Sequence, residues 1–85
     1  MNKELTQLRA EIDEIDAQIK NLLVKRMQTV LKIGQNKKQN CLNVQDSTRE
    51  QAVLEKVTQG LSGVQREYVY NVYLEIIKNS KNIQK

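Results

Sequence analysis

The sequence predicts an all-α protein with three helices, one long and two shorter. Its 85 residues contain no proline, tryptophan, phenylalanine or histidine and only three glycines, whereas the helix-favouring residues Leu, Lys, Glu and Gln are frequent. Apolar residues recur at alternating steps of three and four, which places them on one face of a helix. A chain of this length forms one domain, so we expect residues 1–85 to fold as a single unit.

The first helix is predicted from about Lys3 to about Lys38, and Gly34 alone is too weak a breaker to end it. Counting by sevens along its apolar face, position 26 should be apolar, but the residue there is Arg26. The apolar face consists of Leu5, Leu8, Ile12, Ile15, Ile19, Leu22 and Ile33.

The second helix is predicted to follow a polar, aperiodic loop at 38–43 and to start at Asp46 or Ser47. Ser47 and Glu50 fit a capping box, whereas Asp46 can itself be the N-cap, and the sequence leaves both choices open. Its apolar face consists of Val53, Leu54, Val57 and Leu61.

The third helix is predicted from about Val64 to about Ile83, after a turn that Gly60, Ser62 and Gly63 indicate. Its apolar residues at helical spacing are Tyr68, Val69, Val72, Tyr73, Ile76 and Ile77.

The helix lengths predict a dimer. A first helix of roughly 35 residues spans about 50 Å, and each of the other two is about half as long. Together they cannot cover the apolar face of the first helix, and so long an uncovered face on a monomer favours aggregation. We therefore expect an intertwined, two-fold homodimer in which the long helices pack against each other.

Several polar residues occupy positions that face the predicted interior. Lys37 lies eleven residues after Arg26 and within about 20° of the same helix face. On the third helix the apolar row continues into Ser80 and Gln84. The other polar residues beside these faces are Arg9 on the first helix and Asp46, Arg49 and Glu50 at the start of the second.

Each of these residues also has a purely structural explanation. A lone arginine can snorkel or fix the register of a helix pair, and Lys37 can complement a helix dipole. Taken together, they point to a ligand, because an unpaired buried charge is costly and the inward carboxylates are too few to neutralise the cations. A carboxylate suits the planar fork of an arginine, which can bind both oxygens.

Arg9 and Arg26 are too far apart to serve one small ligand within one chain. Seventeen residues separate them, which is about 25 Å along a helix. If both bind the same molecule, Arg9 must reach into the site of the partner chain.

Composition and charge disfavour several classes of protein. The net charge of +4 favours an anionic partner, but there is no basic outer face or aromatic platform for nucleic acid. No apolar run approaches the length of a membrane span, and the charged start is unlike a signal peptide. The single cysteine, Cys41, fits a reducing, cytoplasmic setting, and the lack of histidine argues against a catalytic zinc site.

Four stretches of the sequence resemble the all-helical chorismate mutases of the AroQ class, and they span almost the whole chain. In order, the stretches are L-x-x-L-R-x-x-I-D-x-I-D-x-x-I-x-x-L-L-x-x-R from Leu5 to Arg26, I-G-x-x-K from Ile33 to Lys37, V-x-D-x-x-R-E from Val44 to Glu50, and I-I-x-x-S-x-x-x-Q from Ile76 to Gln84.

The resemblance implies an enzyme that rearranges chorismate, a dicarboxylate, to prephenate on the route to phenylalanine and tyrosine. It implies a homodimer with two sites, in which Arg9 of the neighbouring chain and Arg26 of the home chain bind the substrate carboxylates. Lys37 would bind a carboxylate and the ether oxygen, and Gln84 the same oxygen. The reaction is an intramolecular pericyclic shift, so the resemblance implies no nucleophile, metal or cofactor.

The resemblance also assigns the remaining polar residues. Asp46, Arg49 and Glu50 would frame the ring side of the substrate, with Glu50 binding the ring hydroxyl and Arg49 adding positive charge. Ser80 would bind a carboxylate.

Two alternatives share the predicted fold. An isochorismate-pyruvate lyase uses a similar cationic pocket, although the complete mutase set, including Asp46 and Glu50, favours a mutase. A non-catalytic helical dimerisation or regulatory module is the other alternative.

Overall fold

The protein folds into three helices joined by two short connections. A computed structural model describes residues 2–84, and its helices are α1 at Lys3–Gln39, α2 at Ser47–Thr58 and α3 at Gly63–Ile83. No strand occurs within that range. The all-α prediction is confirmed. The observed bounds of α1 and α3 and the start of α2 lie within one residue of those predicted. Leu61, which was predicted on the apolar face of the second helix, lies instead in the turn after α2, because the helix already ends at Thr58.

The long helix α1 sets the dimensions of the molecule. It contains 37 residues, and the longest extent of the molecule is 58 Å. Asn2 caps its N-terminus, where the side-chain oxygen accepts a hydrogen bond from the Leu5 N–H at 3.0 Å. Gly34 lies within the helix, as expected for a lone glycine in a strong helical pattern.

The C-terminus of α1 is closed by a tight reversal at Cys41. The Leu42 N–H donates to the Lys37 carbonyl at 2.7 Å, and the Cys41 N–H donates to the Lys38 carbonyl at 3.3 Å. This pair of bonds is the Schellman arrangement, which places the residue after the cap in the left-handed region. Cys41 occupies it with a φ of 56°.

Asp46 is the N-cap of α2. Its Oδ1 accepts a hydrogen bond from the Arg49 N–H at 3.0 Å, and Ser47 is the first helical residue. The structure thus decides the choice that the sequence leaves open.

The buried core is small and lies at one level of the bundle. Each helix contributes one buried apolar residue, Val30 from α1, Leu54 from α2 and Ile77 from α3. The helix α3 contacts both other helices, and the N-terminal half of α1 extends beyond them. Its apolar side chains are between 41% and 65% exposed, namely Leu5, Leu8, Ile12, Ile15, Ile19 and Leu22.

Those exposures confirm that α2 and α3 do not cover the apolar face of α1. The prediction of a homodimer rests on that face and stays a prediction. Within residues 2–84, no helix combines the length and apolar character that a membrane crossing requires.

Candidate functional site

Seven of the eight predicted site residues line one cavity between the three helices. The cavity has a volume of about 130 Å³, and we call it the polar cavity. Its apolar wall includes Val30, Ile33, Val53 and Ile77. The predicted residues on its wall are Arg26, Lys37, Asp46, Arg49, Glu50, Ser80 and Gln84.

Arg26 points from α1 towards α3 and is held by a neutral group. It is half-buried, and its Nη1 donates a hydrogen bond to Ser80 Oγ at 2.6 Å. The Ser80 hydroxyl in turn donates to the Ile76 carbonyl at 2.6 Å, one turn earlier in α3. The guanidinium therefore faces the interior with a hydroxyl, not a carboxylate, as its partner.

Lys37 also faces inward with a neutral partner. It is half-buried, and its Nζ donates to the Val44 carbonyl at 2.9 Å, across the loop that leads to α2. The only ion pair among residues 2–84 joins Lys81 to Glu50, so the charges of Arg26 and Lys37 are not neutralised within that range.

Glu50 is bound on both of its oxygens. Lys81 Nζ lies 3.3 Å from Glu50 Oε1, and the Gln45 amide nitrogen donates to Glu50 Oε2 at 3.0 Å. Lys81 also donates to the Gln45 side-chain oxygen at 3.1 Å. We call Gln45, Glu50 and Lys81 the Glu50 clamp.

Gln84 lies at the end of α3 against the backbone of α1. Its amide nitrogen donates to the Ser80 carbonyl at 3.1 Å, and its side-chain oxygen is buried without a hydrogen-bond partner. A Cβ added at Gly34 would lie 3.1 Å from Gln84 Cγ and 3.3 Å from its Cβ. The glycine therefore permits the close approach that places this amide on the cavity wall.

Asp46 and Arg49 form the rim of the polar cavity at the start of α2. Both residues are exposed, and the Asp46 carboxylate also caps the helix. The cavity lining thus carries four cations, Arg26, Lys37, Arg49 and Lys81, and two anions, Asp46 and Glu50. Four minus two gives a net charge of +2, which matches a doubly negative ligand.

Arg9 is the predicted site residue that the chain does not bring to the cavity. It is exposed on the N-terminal half of α1 and does not line the polar cavity. An open, mainly apolar groove of about 620 Å³ runs between α1 and α3 and shares Arg26 and Ser80 with the cavity. Its other walls include Leu23, Met27, Val72, Ile76 and Ile83.

Lys81 is the charged residue of the cavity that the sequence interpretation missed. The apolar row of α3 that predicts the site continues from Ile76 to Ser80 and Gln84, whereas Lys81 lies on the neighbouring row, one step of four after Ile77. Because residues four apart share a helix face, that step would have identified Lys81. Gln45 gives no comparable signal, since it lies in a loop without periodicity.

Known proteins are similar to this chain over almost its whole length. The family model for chorismate mutase type II matches residues 8–85. A bifunctional chorismate mutase/prephenate dehydratase from Buchnera aphidicola subsp. Schizaphis graminum is 34% identical over 84 residues, which cover 96% of this chain and 22% of that protein. The chain thus spans about a fifth of that relative's length.

A solved structure with the same fold provides a second comparison. It is a conserved hypothetical protein from Pyrococcus furiosus, with a TM-score of 0.85, 33% identity and 100% coverage of both chains. The family match covers most of the chain, from residue 8 to residue 85. The chain therefore belongs to the chorismate mutase type II family.

Proposed function

We propose that this protein catalyses the intramolecular rearrangement of chorismate to prephenate, in the synthesis of phenylalanine and tyrosine. The observation that carries the proposal is the polar cavity, where Arg26 and Lys37 face inward with a hydroxyl and a carbonyl as their partners. A buried cation is stable when an anion completes its environment. Chorismate carries two carboxylates and can supply that charge.

The two inward cations hold the substrate in its compact, reactive conformer. Arg26 is suited to bind one carboxylate through both oxygens. The Ser80 hydroxyl lies beside it and can donate to the same carboxylate if its one hydrogen turns away from the Ile76 carbonyl. Lys37 binds a carboxylate from the other end of the cavity. Fixing a flexible molecule near its reactive geometry removes much of the entropic barrier of an intramolecular reaction.

Lys37 and Gln84 also stabilise the breaking bond. Negative charge develops on the ether oxygen as its carbon–oxygen bond lengthens, and donors already in place lower the energy of that state. Lys37 supplies a full positive charge. Gln84 supplies an amide N–H, since its nitrogen carries two hydrogens and Ser80 accepts only one.

The start of α2 faces the ring side of the substrate. Glu50 accepts the ring hydroxyl, and Arg49 adds positive charge at the rim. Asp46 closes the same side while its carboxylate caps the helix. The reaction forms and breaks bonds within one molecule, so none of these residues acts as a nucleophile and no cofactor is required.

We propose that the active form is a homodimer in which Arg9 of the partner chain completes each site. The exposed apolar face of α1 supports this assembly, and so does the groove that reaches the polar cavity at Arg26 and Ser80. In this assembly the long helix of a second copy would lie in that groove, and its N-terminal half would bring Arg9 to the site. The exposed, free thiol of Cys41 agrees with a reducing compartment, and we place the enzyme in the cytoplasm.

Incubation of the purified protein with chorismate and, separately, with isochorismate tests this function. We expect prephenate from chorismate and no salicylate or pyruvate from isochorismate. Release of salicylate and pyruvate would instead identify an isochorismate-pyruvate lyase. Absence of turnover with both compounds would identify a non-catalytic module.

A further inference from the structure

The Glu50 clamp raises a question about charge in the polar cavity. A carboxylate on the wall of a site for a dianion repels that ligand, and the repulsion is strong where solvent is partly excluded. Glu50 is such a carboxylate, and its side chain is 23% exposed. A compensating cation is therefore required close to Glu50.

Lys81 meets that requirement. Its Nζ lies 3.3 Å from Glu50 Oε1, and its side chain is 30% exposed. Both residues line the polar cavity. Removing the charge of Lys81 would lower the net charge of the lining from +2 to +1, by the same count of residues.

The clamp also fixes where the carboxylate points. Gln45 in the loop, Glu50 on α2 and Lys81 on α3 contact one another, with three distances between 3.0 and 3.3 Å. A carboxylate offers about four acceptor positions, and the clamp occupies one on each oxygen. Glu50 can therefore accept a substrate hydroxyl without releasing either partner.

We propose that Lys81 is a positioning residue of this active site, which neutralises and orients Glu50 so that a doubly negative substrate with a ring hydroxyl can bind. The inference rests on the proposed mutase function and extends it to a residue outside the predicted set. Lys81 acts through Glu50 and does not contact the breaking bond. Its loss should therefore affect substrate binding more than the chemical step.

A purely structural role for the pair predicts a different result. Ion pairs between partly exposed side chains contribute little to stability, so the urea midpoint of Lys81→Met should remain close to that of the wild type. If the pair served stability alone, the variant would unfold earlier and its KM would not change.

The experiment measures KM and kcat for chorismate in Lys81→Met, Glu50→Gln and the double variant. We expect Lys81→Met to raise KM roughly tenfold, with kcat within about threefold of wild type. The rise is smaller than the loss of a direct charge contact near a protein surface would cause, because Lys81 acts on the substrate through Glu50. In the Glu50→Gln background, Lys81→Met should raise KM no further, because no carboxylate charge remains to be neutralised. Lys81→Arg, which keeps the charge, should restore most of the affinity.

Lys78→Met is the matched control. Lys78 is exposed, lies one turn before Lys81 on α3 and does not line the polar cavity, so this variant removes the same charge from the same helix. Its KM should stay within about twofold of wild type, since an exposed charge away from the site is screened by salt. An equal rise in KM for Lys78→Met and Lys81→Met would show a general charge effect and overturn the inference.

Two further outcomes would overturn it. One is a wild-type KM in Lys81→Met, and the other is an undiminished tenfold rise in the Glu50→Gln background, which would mean that Lys81 binds the substrate directly. Absence of chorismate turnover in the wild-type protein would overturn the proposed function and this inference together. If the wild-type protein converts chorismate and Lys81→Met has the same KM, the inference about Lys81 fails and the proposed function stands.

Discussion

Lys37 carries its charge into the polar cavity with a backbone carbonyl as its partner, at 2.9 Å from Nζ to Val44 O. We expect Lys37→Ala to lower kcat by at least about 10²–10³-fold, the usual effect of removing one preorganised donor from a developing negative charge. The lost bond joins a half-buried side chain to a loop, so the variant should still fold. Steady-state kinetics and the circular dichroism of the helices test both statements, and near-normal turnover would refute the role of Lys37.

Replacing Gly34 should lower activity without lowering stability, as is also expected for Lys37. An alanine in a helix interior is more stable than a glycine by about 0.5–1 kcal/mol, but a Cβ at Gly34 would lie 3.1 Å from Gln84 Cγ. We expect Gly34→Ala to displace the Gln84 amide and to lower kcat roughly tenfold, because small misplacements of catalytic groups are costly. The urea midpoint of the variant should not fall.

Gln35→Ala is the matched control for Gly34→Ala. Gln35 is the next residue of α1 and is exposed, so an alanine there changes the helix without touching Gln84. Its kcat should equal that of the wild type. If Gly34→Ala were as active as Gln35→Ala, the contact between Gly34 and Gln84 would have no catalytic role.

Site residues on helices could be predicted from the sequence, whereas their contacts with loops and with other helices could not. Arg26, Lys37, Ser80 and Gln84 interrupt regular apolar rows, so helical spacing alone places them inward. The partner of Lys37 was not predictable, because the Val44 carbonyl belongs to a loop and carries no side-chain signal. The pairing of Glu50 with Lys81 depends on how α2 packs against α3, which periodicity within one helix does not define.

At the scale of the elements, the end of α1 offers a test of stability alone. Cys41 adopts a φ of 56°, a left-handed conformation that costs a non-glycine residue about 1–2 kcal/mol. Cys41→Gly removes this strain and loses about 0.5–1 kcal/mol through the greater freedom of the unfolded chain. The net expectation is a gain of roughly 0.5–1 kcal/mol in the free energy of unfolding, measured by urea denaturation.

Cys41→Val provides the opposite control at the same position. A β-branched side chain is disfavoured in the left-handed region, so this variant should be less stable than the wild type. Neither change touches the polar cavity, whose lining does not include Cys41, and kcat should be unaffected. A lower urea midpoint for Cys41→Gly would show that the reversal after α1 is not strained.

Most boundaries of the elements were predictable because caps and breakers mark them in the sequence. The end of α2 was not, since the apolar spacing continues to Leu61 although the helix ends at Thr58. Gly60 lies between α2 and α3 and Gly63 is the first residue of α3. Both have positive φ, where the sequence indicates a turn. The start of α2 was not decided, since Asp46 and Ser47 both have oxygens that can cap a helix. Only the observed bond from the Arg49 N–H to Asp46 makes the distinction.

At the scale of the whole molecule, the length of α1 compared with α2 and α3 carried the most information. A helix of 37 residues beside helices of 12 and 21 cannot be covered along its length. Its exposed apolar side chains confirm that mismatch. In the proposed homodimer, the register of the two copies depends on side-chain packing at their contact, which helix lengths do not define.

The shared site is tested by combining two inactive variants. Arg9→Ala and Arg26→Ala should each lose nearly all activity, because truncating one partner of a charged, hydrogen-bonded contact is costly. If the protein is a dimer as proposed, unfolding the two variants together and refolding them yields mixed dimers. If each site takes Arg9 from one chain and Arg26 from the other, one site of a mixed dimer has both defects and the other has none.

Activity should therefore return on mixing. If the chains pair at random, the recovered activity equals the fraction of sites that are intact. Half of the dimers are mixed, and each has one intact site of two, so about a quarter of the wild-type activity is expected for two-fold pairing. Refolding each variant alone provides the control and should restore nothing. If both arginines served the site of their own chain, every site in the mixture would keep one defect, and the mixed sample would stay as inactive as its components.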